Sequence, residues 1–174
     1  VVSRHCVVYS HFSTESGMLM DEAIMNVILE KYHIRIGRKA AETLKMALGV
    51  EWDLNRDTRI CEVCGISTIT ELPVKIAVTG EIVAQALNPI LYRIFSGITS
   101  VIQMTPPAIL GDIREHGIVL IGGVAQLKGL KELVLKVTDM KAHVADHPSY
   151  VNAVGAGSAL EYMDYFRDSL QDLH

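Results

Sequence analysis

The chain lacks any apolar stretch long enough for a membrane-spanning helix. Its most apolar windows are cut by Gly122 and Gly123 or by Arg93 and Gln103, short of the ~18 to 20 residues a span needs. Positive charge is scarce too. Sixteen Lys and Arg stand against 20 Asp and Glu, for a formal net charge of −4 and an isoelectric point near 6.0. No dense Lys/Arg cluster offsets this, so the electrostatic footprint required by DNA or RNA is missing and nucleic acid is excluded as an expected partner. Cysteine is limited to Cys6, Cys61 and Cys64, an odd set that cannot build a disulfide framework, and a reducing cytoplasm is the expected compartment. The start, Val1-Val2-Ser3-Arg4, has neither an initiator Met nor the basic flank and apolar core of a signal peptide, and reads as a cut inside a longer protein. No GxGxxG or GxxxxGK[ST] phosphate loop occurs, nor any internal repeat or low-complexity tract.

What is present suits a globular unit. Hydrophobic residues make up 49% of the 174, charged residues 21%, and the mean hydropathy is +0.27. That length fits one compact domain with room for a small insertion. The Val-rich residues 1–9 suit a strand, followed by a polar loop over 10–17. A helix is expected over 21–32, with acidic residues at its front, Lys31 at its end, and Ile24, Val27 and Ile28 on one face. A second helix over 38–48 buries Ala40, Leu44, Ala47 and Leu48 and ends at Gly49. Short strands over 59–78, with Val74, Ile76 and Val78 alternating around the turn at 71–73, give a helix-plus-hairpin insertion.

Thr79 is placed to cap the next helix, Asn88-Pro89 to interrupt it and cap a fresh one running to Met104, and Thr105-Pro106 to start another that stops at His116-Gly117. The apolar run Ile118-Val119-Leu120-Ile121 reads as a strand buried on both faces, and Gly122-Gly123 follows it. A helix over 127–137, a strand over 141–145 and a helix over 153–166, opening with Gly155, Ala156, Gly157 and Ser158, complete the pattern. Strands alternating with helices imply an α/β layer structure.

Two features could carry chemistry. Glycines between a strand and a helix let a ligand approach the backbone near a helix start, although a tight structural turn is the commoner use of such a pair. On the helix 38–48, Arg38, Glu42 and Lys45 recur at spacings of four and three and therefore share a stripe. An exposed ion-pair face is the commoner use of such a stripe, and a ligand-binding edge is the alternative. Lesser signals favour bland readings. Cys61-x-x-Cys64 falls in a strand, where residues three apart point to opposite faces, and lacks the partners of a zinc site. His143 and His147 flank a strand-to-loop change without helical metal-ligand spacing. Met18, Met20, Met25 and Met46 read as core filler, with Met46 able to touch a flat ring.

Longer strings carry a family resemblance. Met20-Asp21-Glu22-Ala23-Ile24, Ile36-Gly37-Arg38-Lys39-Ala40-Ala41-Glu42-Thr43-Leu44-Lys45, Leu72-Pro73, Thr105-Pro106-Pro107 and Gly117-Ile118-Val119-Leu120-Ile121-Gly122-Gly123 occur in the order found in MreB proteins. From Gly17 to about Tyr162 the chain resembles the second domain of that bacterial actin-like family. The resemblance implies an α/β actin-like ATPase (ribonuclease H-like) domain with a small helix-plus-hairpin insertion, residues 1–37 and 83–174 forming subdomain IIA and 38–82 subdomain IIB. It implies a parent protein that binds ATP and Mg2+, stacks with itself into filaments that govern cell shape, and lies in the cytoplasm at the inner face of the membrane. Elongation-machinery membrane proteins such as RodZ are the partners it suggests, with no membrane insertion by this chain. By the same likeness Glu42 and Lys45 contact the ribose and base edge, Gly122, Gly123, Val124 and Ala125 form the adenosine loop, and Gly17 lies near the sugar or phosphates.

The chain departs from the family pattern at Val124, where a third glycine is usual, at Met18, where an Asp is usual, and in a longer stretch over 7–16. It also has no Asp-x-Gly-x-Thr phosphate hairpin, so by itself it is expected neither to hydrolyse ATP nor to bind it tightly. An Hsp70-like or sugar-kinase ATPase jaw, and a nucleotide-independent interaction module of the same fold, are the alternatives.

Overall fold

The computed structural model describes residues 1–3, 6–50 and 59–161. Two short strands, β1 (Val2–Ser3) and β2 (Cys6–Val7), pair antiparallel where one continuous strand was expected. Helix α1 (Gly17–Tyr32) begins four residues before the expected start, because Ser16 in extended conformation caps it by accepting a hydrogen bond from Leu19 N at 3.3 Å. Asp21 and Glu22 therefore lie in the second turn, and no acidic residue sits in the first. Met20, Ile24 and Ile28 recur every fourth residue and are buried, with Asp21 buried beside them. Ser16→Ala should lower the unfolding free energy by about 1 kcal/mol, read as a shift in the urea midpoint at unchanged slope. An unshifted midpoint would show that water replaces the cap at no cost.

After β3 (Ile34–Arg35), α2 (Arg38–Leu48) matches the expected bounds, ending at Gly49 with φ +62°. Its buried face is Ala41, Leu44, Lys45 and Leu48, whereas Ala40 and Ala47 are only partly buried. The helix is thus rotated so that a lysine, and not an alanine, completes the inner stripe. Strands β4 (Ile60–Ser67) and β5 (Pro73–Thr79) form the expected hairpin, and β3 pairs with β4 to give a three-stranded antiparallel sheet of order β3-β4-β5.

The expected break at Asn88-Pro89 does not occur. Helix α3 (Gly80–Met104) runs through it for 25 residues. The donor missing at Pro89 would have reached the carbonyl of Gln85, and both residues are exposed, so water can take over that bond. The opposite face, with Val83, Leu87, Ile90 and Leu91 against α1, is buried and continuous. Tertiary burial outweighs the local break. Likewise Thr105 closes α3 instead of opening the next helix: its hydroxyl donates to Val101 O at 2.7 Å, and α4 (Pro107–His116) starts two residues later.

Gly117, at φ +85°, leads into β6 (Ile118–Leu120), which pairs in parallel with β7 (Ala142–Val144). The expectation of a strand buried on both faces fails here, since Val119 is 55% exposed. Among the described residues β7 is the only strand beside β6, and a parallel strand needs cover on both faces and both edges. Gly122 and Gly123 are followed by a 3-10 turn (Gly123–Gln126), and α5 (Leu130–Thr138) begins only after Gly129, so the expected helix over 127–137 starts three residues late. Helix α6 (Val151–Glu161) starts two residues before expectation, while its expected end at Phe166 lies outside the described residues.

A single buried cluster joins α1, α2, α3, the β3-β4-β5 sheet and α5 through residues such as Ile28, Leu44, Val63, Leu87 and Val134. The loop before α1 is tied to α3 by Arg93, whose guanidinium donates to both carboxylate oxygens of Glu15, one of them at 3.1 Å. That fork holds the Glu15 carboxyl below the usual carboxylate range, chiefly by hydrogen bonding.

Candidate functional site

The start of α1, the inner stripe of α2 and the 3-10 turn after β6 converge on one cleft of about 360 Å³. Ser16, Gly17, Met18, Met20 and Asp21 line it from α1, Glu42, Lys45 and Met46 from α2, and Gly123, Val124 and Leu127 from the turn. The two elements singled out in the sequence, the α2 stripe and the glycine pair, therefore face each other across a cavity.

A backbone junction sets their spacing. Val50 N donates to Lys128 O at 2.8 Å, and Lys128 Nζ donates to Ala47 O at 3.0 Å, stapling the end of α2 to the end of the 3-10 turn. Gly49 and Gly129 permit this approach. A Cβ on Gly129 would lie 1.7 Å from Val50 O, and one on Gly49 2.5 Å from Lys128 O. Both residues also have positive φ, of +83° and +62°, which side chains disfavour.

At the floor of the cleft is a buried ion pair. Lys45 Nζ lies 2.6 Å from Asp21 Oδ1, the two side chains being 9% and 7% exposed, and it donates to Gly17 O at 2.9 Å. The lysine therefore anchors the first turn of α1 to α2. Its approach balances the charge of Asp21, whose buried Oδ1 has no other partner among the described residues. Glu42, one turn before Lys45, is exposed and forms no ion pair or hydrogen bond with the described residues.

Of the residues expected at the site, Gly17, Glu42, Lys45, Gly123 and Val124 line the cleft. Gly122 and Ala125 stand behind it. Gly122, at φ +84°, donates its N–H to Pro148 O at 2.7 Å and accepts from Ala125 N at 3.2 Å, so both serve to shape the turn. A Cβ on Gly17 would meet Lys45 Nζ and Val124 Cγ2, each at 3.5 Å, which puts the Val124 side chain directly across the cleft from the start of α1. Arg38 leaves the stripe, pairing instead with Glu22 at 3.1 Å on the surface. Asp21 escaped the sequence reading as a site residue. The signal was available in an acidic residue next to Met20 and three before Ile24, on the apolar side of the helix, but the adjacent acidic pair Asp21-Glu22 near a helix start has a sufficient dipole explanation.

A larger hollow of about 610 Å³ lies between the first residues, α3, α4 and β6, lined mostly by aliphatic side chains such as Ile94, Ile98 and Val101. Convergent charged groups are confined to the smaller cleft, which is therefore the candidate site. Cys61 and Cys64 are free thiols on β4, and His143 and His147 are exposed around β7.

The MreB/Mbl protein family model matches residues 1–168. The cell shape-determining protein MreB of Escherichia coli K12 is 33% identical over 164 residues, which are 94% of this chain and 47% of the relative. The cell shape-determining protein Mbl of Bacillus cereus is 31% identical, with 94% and 49% covered. The chain spans about half the length of the curated relatives it matches. Among solved structures, MreB5 of Spiroplasma citri bound to AMPPNP superposes with a TM-score of 0.83 at 22% identity, over 95% of this chain and 50% of that one. MamK in its double helical filament gives 0.66 at 21% identity, over 79% and 42%. The architecture is the α/β actin-like fold.

Proposed function

Because the chain belongs to the MreB/Mbl family, we propose that it forms one wall of an ATP-binding cleft in an actin-like filament protein that governs cell shape. The observation that carries this is the shared cleft of Glu42 and Lys45 with Gly123 and Val124. A purine nucleoside needs a flat slot with acceptors at the sugar end. Met18, Met46, Val124 and Leu127 supply apolar surface, and Glu42 supplies a carboxylate free to accept from a ribose hydroxyl. Lys45 has its charge balanced by Asp21 and one donor committed to Gly17, so its part is to hold the cleft together while offering a remaining N–H to the ligand.

The residues fit the nucleoside better than the triphosphate. Lys45 is the only cation among the lining residues and is already paired, so the phosphates and Mg2+ are assigned to the other half of the protein. Bound Mg2+ would supply charge stabilisation during phosphoryl transfer. The chain alone then neither hydrolyses ATP nor holds it tightly. Residues 38–82 form subdomain IIB, inserted into IIA made of 1–37 and 83–174. Self-assembly is the primary interaction, in the cytoplasm against the membrane's inner face, with RodZ-like membrane proteins as further partners; a nucleotide-independent module is the competing reading, permitted by the bulk of Val124 and by the lack of an Asp-x-Gly-x-Thr hairpin in this sequence.

The deciding experiment is ATP-dependent assembly of the full-length protein, followed by pelleting and electron microscopy. Filaments that require adenine nucleotide support the proposal, and a protein indifferent to nucleotide sinks it. Within that protein, Glu42→Ala should weaken adenine-nucleotide affinity about 10- to 100-fold, since a hydrogen bond to a charged group contributes about 1.5 to 3 kcal/mol. Unchanged affinity would remove Glu42 from the site.

A further inference from the structure

Residues 8–16 form neither helix nor strand, and 10–14 are exposed, so regular structure does not fix their path. Two ties to α3 do. Arg93 Nη2 donates to Glu15 Oε2 at 3.1 Å and Arg93 Nε donates to Oε1, leaving the Glu15 side chain 8% exposed. One turn further along α3, His11 lies over Gly97. A Cβ on Gly97 would fall 2.6 Å from His11 Cδ2 and 2.8 Å from its Nε2. Residues 93 and 97 share one face of the helix and stand about 6 Å apart along its axis. Extended chain from 11 to 15 would reach about 13 Å. A turn at Ser13, whose hydroxyl accepts from Glu15 N at 3.3 Å, takes up the excess. The segment is therefore a strap laid along α3 and pinned one helical turn apart.

The strap ends where the cleft begins. Ser16 caps α1, Ser16 and Gly17 line the cleft, and Gly17 O receives Lys45. We propose that Arg93, which does not itself line the cleft, is a positioning residue for the nucleotide site, acting through Glu15 to set the first turn of α1 opposite Lys45 and Val124. The proposal rests on the nucleoside reading of the cleft given above. A planar guanidinium gripping both carboxylate oxygens fixes direction as well as distance, which a lysine's point charge does not. Global stability gains little from the fork, because Arg93 is 53% exposed and such pairs are weak. Gly97 points the same way. Glycine is a poor residue for the middle of a helix, and the three atoms nearest a Cβ there all belong to His11, so its absence serves the strap and not the helix.

The full-length protein containing this chain tests this through ATP affinity by calorimetry, the urea midpoint, and amide hydrogen exchange over 17–20 without nucleotide. Arg93→Ala should weaken ATP binding about 3- to 10-fold, within the range that residues outside a site impose on it. Exchange over 17–20 should quicken while the urea midpoint stays nearly in place. Arg93→Lys should fall between, and exchanging the two charges with Glu15→Arg and Arg93→Glu should recover most of the affinity. Gly97→Ala separates positioning from stability. Its helix improves, so the midpoint holds or rises, yet affinity should fall because His11 is unseated. Wild-type affinity in Arg93→Ala overturns the proposal, and if Glu42→Ala still weakens binding, the nucleoside reading survives that failure. Unchanged exchange over 17–20 in Arg93→Ala also overturns it. So does affinity that follows the urea midpoint in every variant, with Gly97→Ala binding as well as wild type. If the unaltered protein binds no adenine nucleotide, the nucleoside reading fails and the proposal falls with it.

Discussion

Gly129→Ala is expected to lower the unfolding free energy by about 2 to 5 kcal/mol, the sum of a left-handed backbone penalty of about 1 to 2 and an overpacking cost of about 1 to 3. The geometry leaves no easier escape. The new Cβ would sit 1.7 Å from Val50 O, so the backbone must part at the junction where Val50 N meets Lys128 O. Against a typical domain stability of about 5 to 15 kcal/mol the loss is large, and denaturant titration at constant slope would register it. Gly123→Ala is the matched control. Its Cβ would meet nothing within 4 Å and its φ is not positive, so a shift within about 0.5 kcal/mol is expected. A Gly129→Ala protein as stable as the wild type would mean that the cleft's spacing is not set at this junction. Ligand affinity should fall with stability, because the same junction holds the turn bearing Gly123 and Val124 opposite α2.

The parts of this fold legible in the sequence are those where local chemistry and tertiary demand agree. Helix α2 was readable to the residue because Gly37 and Gly49 bracket it, and the β4–β5 hairpin because alternation and the turn before Pro73 point the same way. Where they disagree, tertiary burial wins. Pro89 is a strong local stop, yet its exposed side lets α3 continue, and Thr105-Pro106 resembles a helix start while Thr105 closes the preceding helix. The strand after Gly117 was readable as a strand but not in its surroundings, since an apolar run encodes a demand for cover and not the identity of what covers it.

The cleft was legible at its rims and opaque at its floor. Spacing places Glu42 and Lys45 on one stripe, and the glycine pair marks a close approach, so the two walls could be named from residues and resemblance. That Lys45 faces inward toward Asp21 depends on the rotation of α2 about its axis. A few tens of degrees separate an exposed stripe from a buried one, and the residues on either side, Ala40 and Ala47, are small enough to permit both.

That inward rotation has a testable energetic signature. Lys45→Met should destabilise the protein by about 3 to 5 kcal/mol, the usual consequence of leaving one member of a buried pair alone. The methionine fills the space of the lysine stem, so the loss isolates charge and hydrogen bonding from packing: Asp21 keeps its burial at 7% side-chain exposure and loses its counterion, and Gly17 O loses its donor. Adding Asp21→Leu should recover much of the stability, because a buried ion pair replaced by apolar groups of similar volume is often neutral or better. The double-mutant cycle would then show a coupling of at least about 1 kcal/mol between the two positions. Additive losses would mean that the two charges do not depend on each other. If stability recovers in the double variant while nucleotide affinity does not, the pair is retained for the ligand and not for the fold.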